Sequence, residues 1–296
     1  VAGGFIHKLF GRSPLLPAEV AEALLDLERH VEARPTLAAP AALLRDVLPV
    51  LYDQPPRETI PPISMEHAAT KLAAGIPLLR DETLQLDMIA LRRRWLGVCA
   101  AVQRNQSSAA GQALAEAVHQ GTLNLNDLVR QVLAGRPEEI HAQADSLGLD
   151  AGLTTAVLGL ALFPALSRIN NALTPLRQGI RWERGHCPTC GSWPLLGEFR
   201  GLEQTSLLRC GLCAAEWEFP RLQCPFCTNR DHRQLGYLSV EGEESRYRAA
   251  TCDACQGYVK MISTLTRLGG PALLVTNVAT VHLDLAAADR GYATPS

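Results

Sequence analysis

The sequence predicts an α+β protein, with a mainly helical N-terminal domain over residues 1–180 followed by two small β lobes over 181–222 and 223–296. Three observations predict it. Apolar residues recur at helical spacing up to about residue 180. After Gly179 the pattern changes to short alternating runs broken by glycine. Eight of the nine cysteines lie between Cys187 and Cys255, as four C-x-x-C pairs.

Taking the elements in order, PAEVAEALLDLERHVEA places Val20, Leu24, Leu27 and Val31 near one helical face, with Pro17 allowed in a first turn. The Pro-rich DQPPRETIPPIS (53–64) reads as a loop. DETLQLDMIALRRRWLGVCAAVQ opens with acids suited to a helix N-terminus and carries Leu84, Met88, Leu91, Trp95 and Val98 on one face. A helix over GQALAEAVHQ should stop at Gly121. LNLNDLVRQVLAG offers Asn124 or Asn126 as cap and Gly135 as stop. RPEEIHAQADSLG and 151–178 complete the helical set.

The β half is expected to begin after RQGIRWERG (177–185). WPLLGEF, TSLLRC, EWEFP, LGYLSV, RYRAATC and GYVKMI read as strands. RGLE (200–203) and EGEE (241–244) read as hairpin turns. In EWEFP, Trp217 and Phe219 alternate with Glu216 and Glu218, as on a half-buried strand. The tail LLVTNVATVHLDLAAADRGY is expected to return as a strand and a short helix.

Composition narrows the class. Of 296 residues, 47% are hydrophobic and 20% charged, and the net charge is −2, ordinary for a globular protein. From residue 181 onward, twelve Arg/Lys balance twelve Asp/Glu, so no nucleic-acid footprint is expected beyond a local patch of Arg230, Arg246 and Arg248. The opening VAGGFIHKLFGRSPLLP lacks an h-region followed by an A-x-A site, so no secretion signal is expected. The uncharged AGLTTAVLGLALFPALS is 17 residues long with Pro164 inside; a buried core helix is expected there, not a membrane span. A cytoplasmic location follows, where cysteines stay reduced.

The cysteines then carry the chemistry. The pairs are Cys187/Cys190, Cys210/Cys213, Cys224/Cys227 and Cys252/Cys255, with nineteen residues between the first two pairs and twenty-four between the last two. A C-x-x-C turn aims two thiolates at one point, and a following glycine permits the tight backbone. Two such turns joined by a hairpin give four sulfurs at tetrahedral corners, which suits Zn²⁺ or a single iron. Each gap contains an expected hairpin, so sequential pairing is favoured: Cys187, Cys190, Cys210 and Cys213 as site 1, Cys224, Cys227, Cys252 and Cys255 as site 2. Interleaved pairing stays open on entropy, because doubling a loop costs only about 0.6 kcal/mol. Disulfides disagree with a reducing compartment. A thioredoxin-type couple needs a βαβ context, and an iron–sulfur cluster usually has other spacing. His186 adjoins Cys187 but reads as a neighbour, since four sulfurs already complete the shell. A lobe of this size needs a staple, and structural zinc supplies roughly 10–16 kcal/mol in small peptides.

Other candidates are weaker. Glu116/His119 and Glu138/His141 have the Glu-x-x-His spacing of di-iron bundles, yet they sit on short helices interrupted by glycines and read as surface placements. Arg92, Arg93 and Arg94 read as a solvated helix face that could touch a partner, and Cys99 as a small buried apolar residue. No catalytic residues are assigned.

GHCPTCGSWP, RCGLCAAEWEF, RLQCPFC and RYRAATCDACQGYVK, after a helical half, resemble the formate dehydrogenase accessory proteins of bacteria, the FdhE-type family. The resemblance covers most of the chain. It implies two rubredoxin-like or zinc-ribbon-like lobes holding two metal ions per chain, iron favoured and zinc the alternative. It also implies a cytoplasmic maturation factor, not an enzyme, that binds the catalytic subunit of respiratory formate dehydrogenase before export, as a chaperone does. Two other classes stand beside it: a rubredoxin-type electron-transfer protein, and a zinc-ribbon nucleic-acid or regulatory module.

Overall fold

The structure, a computed structural model, describes residues 16–55, 57–106 and 109–294. Most of the N-terminal stretch read for a secretion signal lies outside the described residues. Helix α1 (Ala18–Ala33) starts after Pro17, which sits at the N-cap, and buries Val20, Ala23 and Leu27. Two helices follow that periodicity leaves unassigned. In α2 (Ala38–Leu51), Pro49 masks the pattern, yet Ala41, Leu44, Val47, Leu48 and Leu51 form one buried face. Helix α3 (Met65–Ala73) is a short segment capped by Ser64, whose hydroxyl accepts from the His67 N–H at 3.1 Å.

Helix α4 spans Met88–Gln106, later than the acids at 81–82 imply. Asp87 takes the capping role, accepting from the Ala90 N–H at 2.9 Å. Glu82 instead pairs with the amine of buried Lys71 at 2.7 Å. Helices α5 (Ala109–Gln120), α6 (Leu125–Ala134) and α7 (Pro137–Ser146) follow. Asn124 caps α6 through the Asn126 N–H at 2.8 Å, and Gly135 ends it at φ +67°. Helix α8 (Ala151–Leu173) is long and apolar enough to cross a membrane by length and composition. Here it is a core helix, burying Val157, Leu158, Ala161, Leu162 and Phe163 and packing against α2, α4 and α7.

All six expected strands form: β1 (Pro194–Arg200), β2 (Thr205–Cys210), β3 (Glu216–Glu218), β4 (Leu235–Leu238), β5 (Tyr247–Cys252) and β6 (Gly257–Thr264). The helical half followed by two four-cysteine β lobes is therefore the observed class. The two lobes share one sheet. Among the described residues the strands make one sheet, in the order β3-β2-β1-β6-β5-β4. Two antiparallel ladders meet where β1 runs parallel to β6, from Gly197 opposite Met261 to Arg200 opposite Thr264. Gly197 permits this: a Cβ there would stand 2.4 Å from the Met261 sulfur.

A buried ionic network pins that junction. Glu198 is fully buried, ion-paired with equally buried Arg209, and accepts from Arg200 at 2.9 Å and Thr264 at 2.9 Å. Arg209 also donates to the Leu268 carbonyl at 2.8 Å.

The expected strand in the tail is corrected: α9 (Gly270–Ala279) and α10 (Val281–Ala288) are both helices. The β-branched run around Val275 reads as strand by propensity. Pro271 in the first turn and burial of Leu273, Leu274 and Val275 override it. Helix α9 packs on α1 and α2, and α10 lies on β4, β5 and β6. The Lys260 amine reaches from β6 to Asp284 on α10 at 2.8 Å. One apolar core thus runs from the helical half into the sheet.

Candidate metal centres

Each C-x-x-C folds into the same turn. In the first, the Gly191 N–H donates to the Cys187 carbonyl at 3.0 Å and the Cys187 N–H to Ser192 at 2.8 Å. In the second, Ala214 donates to Cys210 at 3.1 Å and Cys210 to Ala215 at 2.9 Å. In the third, Thr228 donates to Cys224 at 3.1 Å and Cys224 to Asn229 at 2.9 Å. The fourth turn closes β5 onto β6, where Cys252 pairs with Gly257. The residue after the second cysteine is left-handed every time: Gly191 (φ +85°), Ala214 (+54°), Thr228 (+62°) and Gln256 (+55°). Only the first is a glycine, so three of these turns hold a side chain in a conformation it disfavours.

The hairpins bring the turns together in sequential pairs. Cys187, Cys190, Cys210 and Cys213 place their sulfurs within 4.8 Å of one another, as do Cys224, Cys227, Cys252 and Cys255. In site 1, Cys187 lies 3.6 Å from Cys213 and Cys190 lies 3.4 Å from Cys210. In site 2, Cys224–Cys255 and Cys227–Cys252 are both 3.6 Å. A disulfide needs about 2.05 Å. Four sulfurs each about 2.3 Å from one ion stand about 3.8 Å apart at tetrahedral corners. The cages therefore fit a tetrahedral thiolate-bound ion.

The thiols of each cage share charge unequally. Burial opposes ionisation of Cys187, but the thiols of Cys190, Cys210 and Cys213 hydrogen-bond its sulfur and carry it well below the ordinary thiol value. Hydrogen bonds to the Cys187 and Cys210 sulfurs push the Cys190 thiol well above its ordinary value, and burial does the same to Cys213. In site 2, burial likewise resists charge on Cys252. The Cys255 backbone N–H and the Asn229 amide outweigh it and bring the thiol down to about 7. Backbone donors assist elsewhere: Thr189 N–H reaches the Cys187 sulfur at 3.4 Å and Leu212 N–H the Cys210 sulfur at 3.3 Å. Four thiolates in one cage repel each other, and a cation relieves that repulsion.

The surroundings of the two sites differ. Site 1 lies at the seam with the helical half. Leu78 and Leu79 donate backbone N–H bonds to Pro188 and Thr189 at 2.9 and 2.8 Å. The Thr189 hydroxyl donates to buried Asn170 of α8 at 2.9 Å. Site 2 lies beyond it, joined by a row of edge-on rings: Trp182–His186 at 5.2 Å, His186–Trp193 at 6.2 Å and Trp193–Phe226 at 5.5 Å. His186 belongs to this row and to neither cage.

Residues 222–296 match the family model described as FdhE, C-terminal domain. A Protein FdhE homolog of Stutzerimonas stutzeri is 38% identical over 123 residues, 40% of this chain and 39% of that one. A Protein FdhE homolog of Pseudomonas aeruginosa is 30% identical over 255 residues, covering 82% of this chain and 76% of its own. The chain belongs to the FdhE family. The crystal structure of the FdhE protein from Pseudomonas aeruginosa matches the fold with a TM-score of 0.61 at 26% identity, over 95% of both chains. Among the curated relatives, the matched stretch spans about two fifths of the Stutzerimonas protein and about three quarters of the Pseudomonas one.

Within this FdhE-family chain the other sequence candidates stay apart from the cages. Glu116 and His119 lie on α5, and Glu138 and His141 on α7; neither pair joins a ligand cluster among the described residues. Cys99 is buried, and burial pushes its thiol up to about 12. The Arg92–Arg94 reading needs correction. Arg92 is exposed and Arg93 pairs with Asp53 at 2.9 Å, but Arg94 is only 1% exposed and faces Glu58 across 3.8 Å. Three successive helical positions sweep about 200°, so they cannot share one solvated face. Sequence reasoning missed Asn170 and the segment 76–80 that clamps site 1. Neither carries a local signal, because both act through contacts distant in sequence.

Proposed function

We propose that the chain is a cytoplasmic maturation factor for respiratory formate dehydrogenase, binding the catalytic subunit before export and catalysing no reaction itself. Membership of the FdhE family carries this reading. The working parts are a helical domain over 1–180 and metal lobes over 181–222 and 223–296, with iron in both cages, or zinc in its place. The cages fit either metal, because both accept tetrahedral thiolate.

A groove of about 1320 Å³ between the helical half and the sheet supports a docking role. Its walls are the linker Arg177–Glu183 and the edge strand β3. Glu216 and Glu218 bracket buried Trp217 there, and Arg181 also lines the groove. An edge strand offers unpaired backbone groups to an incoming chain. A standard specific interface buries about 1,200–2,000 Å² in total, more than one small lobe readily offers, so a surface shared by both halves is the favoured one.

Deleting the gene should abolish formate dehydrogenase activity while the catalytic subunit is still made. Anaerobic co-purification should recover a complex of that subunit with this protein, weakened by Glu218→Arg or Arg181→Glu. Wild-type activity in the deletion strain, or no complex, would overturn the reading.

A further inference from the structure

The two cages have the same ligands and the same turns but different exposure. All four sulfur-bearing residues of site 1 are buried, at 0 to 2% exposure. In site 2, Cys224 and Cys252 are buried while Cys227 and Cys255 are exposed. The difference extends to the residues of the turns. Residues 187–190 and 212–215 are buried, whereas 253–256 are exposed throughout, together with Cys227 and Thr228. Site 1 is also clamped by the backbone bonds from Leu78 and Leu79 and by the Asn170–Thr189 bond. Arg80 and Pro77 close over Gly191, whose Cβ would stand 3.0 and 3.2 Å from them.

We infer that site 2 is the exchangeable site, whose ion and whose Cys227 and Cys255 sulfurs are open to external thiolates and chelators, while the ion of site 1 is sealed into the fold. Displacement at either site proceeds by one exchange of ligands. A donor atom of the chelator bonds to the ion as a Cys Sγ–metal bond breaks, the released thiolate takes a proton from water, and no electrons change hands. At site 2 an incoming donor reaches the outer sulfurs without any structural opening. At site 1 it must wait until the 76–80 clamp separates from 188–189, which is a local unfolding event. Identical ligand sets make intrinsic affinity a poor source of difference, so access sets the relative rates.

The test uses the full chain loaded with two equivalents of Zn²⁺ under anaerobic, reducing conditions and mixed with excess 4-(2-pyridylazo)resorcinol. Release should be biphasic, one ion per phase, with the fast phase ahead by about tenfold or more, the factor imposed by a local opening that costs about 1.4 kcal/mol. Pulsed N-ethylmaleimide labelling with peptide mass mapping assigns the phases: Cys227 and Cys255 should be modified during the fast phase, and Cys187, Cys190, Cys210 and Cys213 only during the slow one. Asn170→Ala, which removes one arm of the clamp, should quicken the slow phase alone. A single phase releasing both ions, labelling of site 1 cysteines as early as Cys227 and Cys255, or acceleration of both phases by Asn170→Ala would overturn the inference. None of these readouts involves formate dehydrogenase, so the result stands apart from the maturation role.

Discussion

Glu198 on β1 and Arg209 on β2 form an ion pair with no solvent exposure on either side. Arg200 and Thr264 also donate to Glu198, so one carboxylate ties β1, β2 and β6 together. The pair sits where the ladder carrying site 1 meets the ladder carrying site 2. Removing one charge strands the other in a dry interior. Glu198→Ala should therefore destabilise the fold by about 3–5 kcal/mol, and Glu198→Met with Arg209→Leu should recover much of that loss. Urea midpoints of the three chains decide it; equal stability of wild type and Glu198→Ala would refute the role given to the pair.

The left-handed residues allow a graded test. Gly191 is already suited to φ +85°, so Gly191→Ala should cost about 1–2 kcal/mol. Glycine at Ala214, Thr228 or Gln256 should raise stability by up to about 1 kcal/mol, less the entropy glycine loses on folding. Thr228 should respond most, because a β-branched residue tolerates φ +62° worst. Thermal unfolding of the metal-loaded variants gives the order.

The seam between α1, α10 and residues 240–247 should make the protein acid-sensitive. Burial lowers His30 below its ordinary 6.5, and nearby Arg246 and Arg34 add to this against Asp26. Burial also lowers His282, and Arg34, 2.6 Å from its Nδ1, adds to this against Glu243. The folded pKa values lie below the unfolded ones, so the unfolded chain takes up protons first as pH falls. Stability is thus complete above about pH 6.5 and declines as pH drops below it. His30→Gln with His282→Gln should flatten the urea midpoint between pH 7.5 and 5. An unchanged slope in that double variant would remove these histidines as the cause.

Metal removal should act unequally on the two ends of the sheet. Cys224→Ser with Cys227→Ser should loosen residues 223–256 while β1, β2 and the helical half stay protected. Cys187→Ser with Cys190→Ser should also free 76–80, since those residues bond to the first turn. Hydrogen exchange along the chain reads both. Elemental analysis of the anaerobically purified wild type should find two ions per chain, and one shared ion would contradict two separate cages.

The local content of this protein is readable from the sequence because it rests on short-range rules. Alternation in EWEFP, the glycine at the Gly201 turn and the cysteine spacing each act within a few residues, and the strands and turns they imply are present. The Asn124 cap and Gly135 stop of α6 are legible for the same reason. Helices α2 and α9 are not, because Pro49 in one and the β-branched run of the other point locally elsewhere, and burial against distant helices overrides them. Arg94 is hidden for a like reason: a charged side chain in the core is set by helix rotation and by Glu58, thirty-six positions earlier. The spacing names the eight cysteines, but only the tertiary structure decides how the cages differ. The parallel pairing of β1 with β6, and the packing of the helical half over one end of the resulting sheet, bury site 1 and leave Cys227 and Cys255 facing solvent. Ligand identity is a property of local sequence, whereas solvent access is a property of what the rest of the chain packs against.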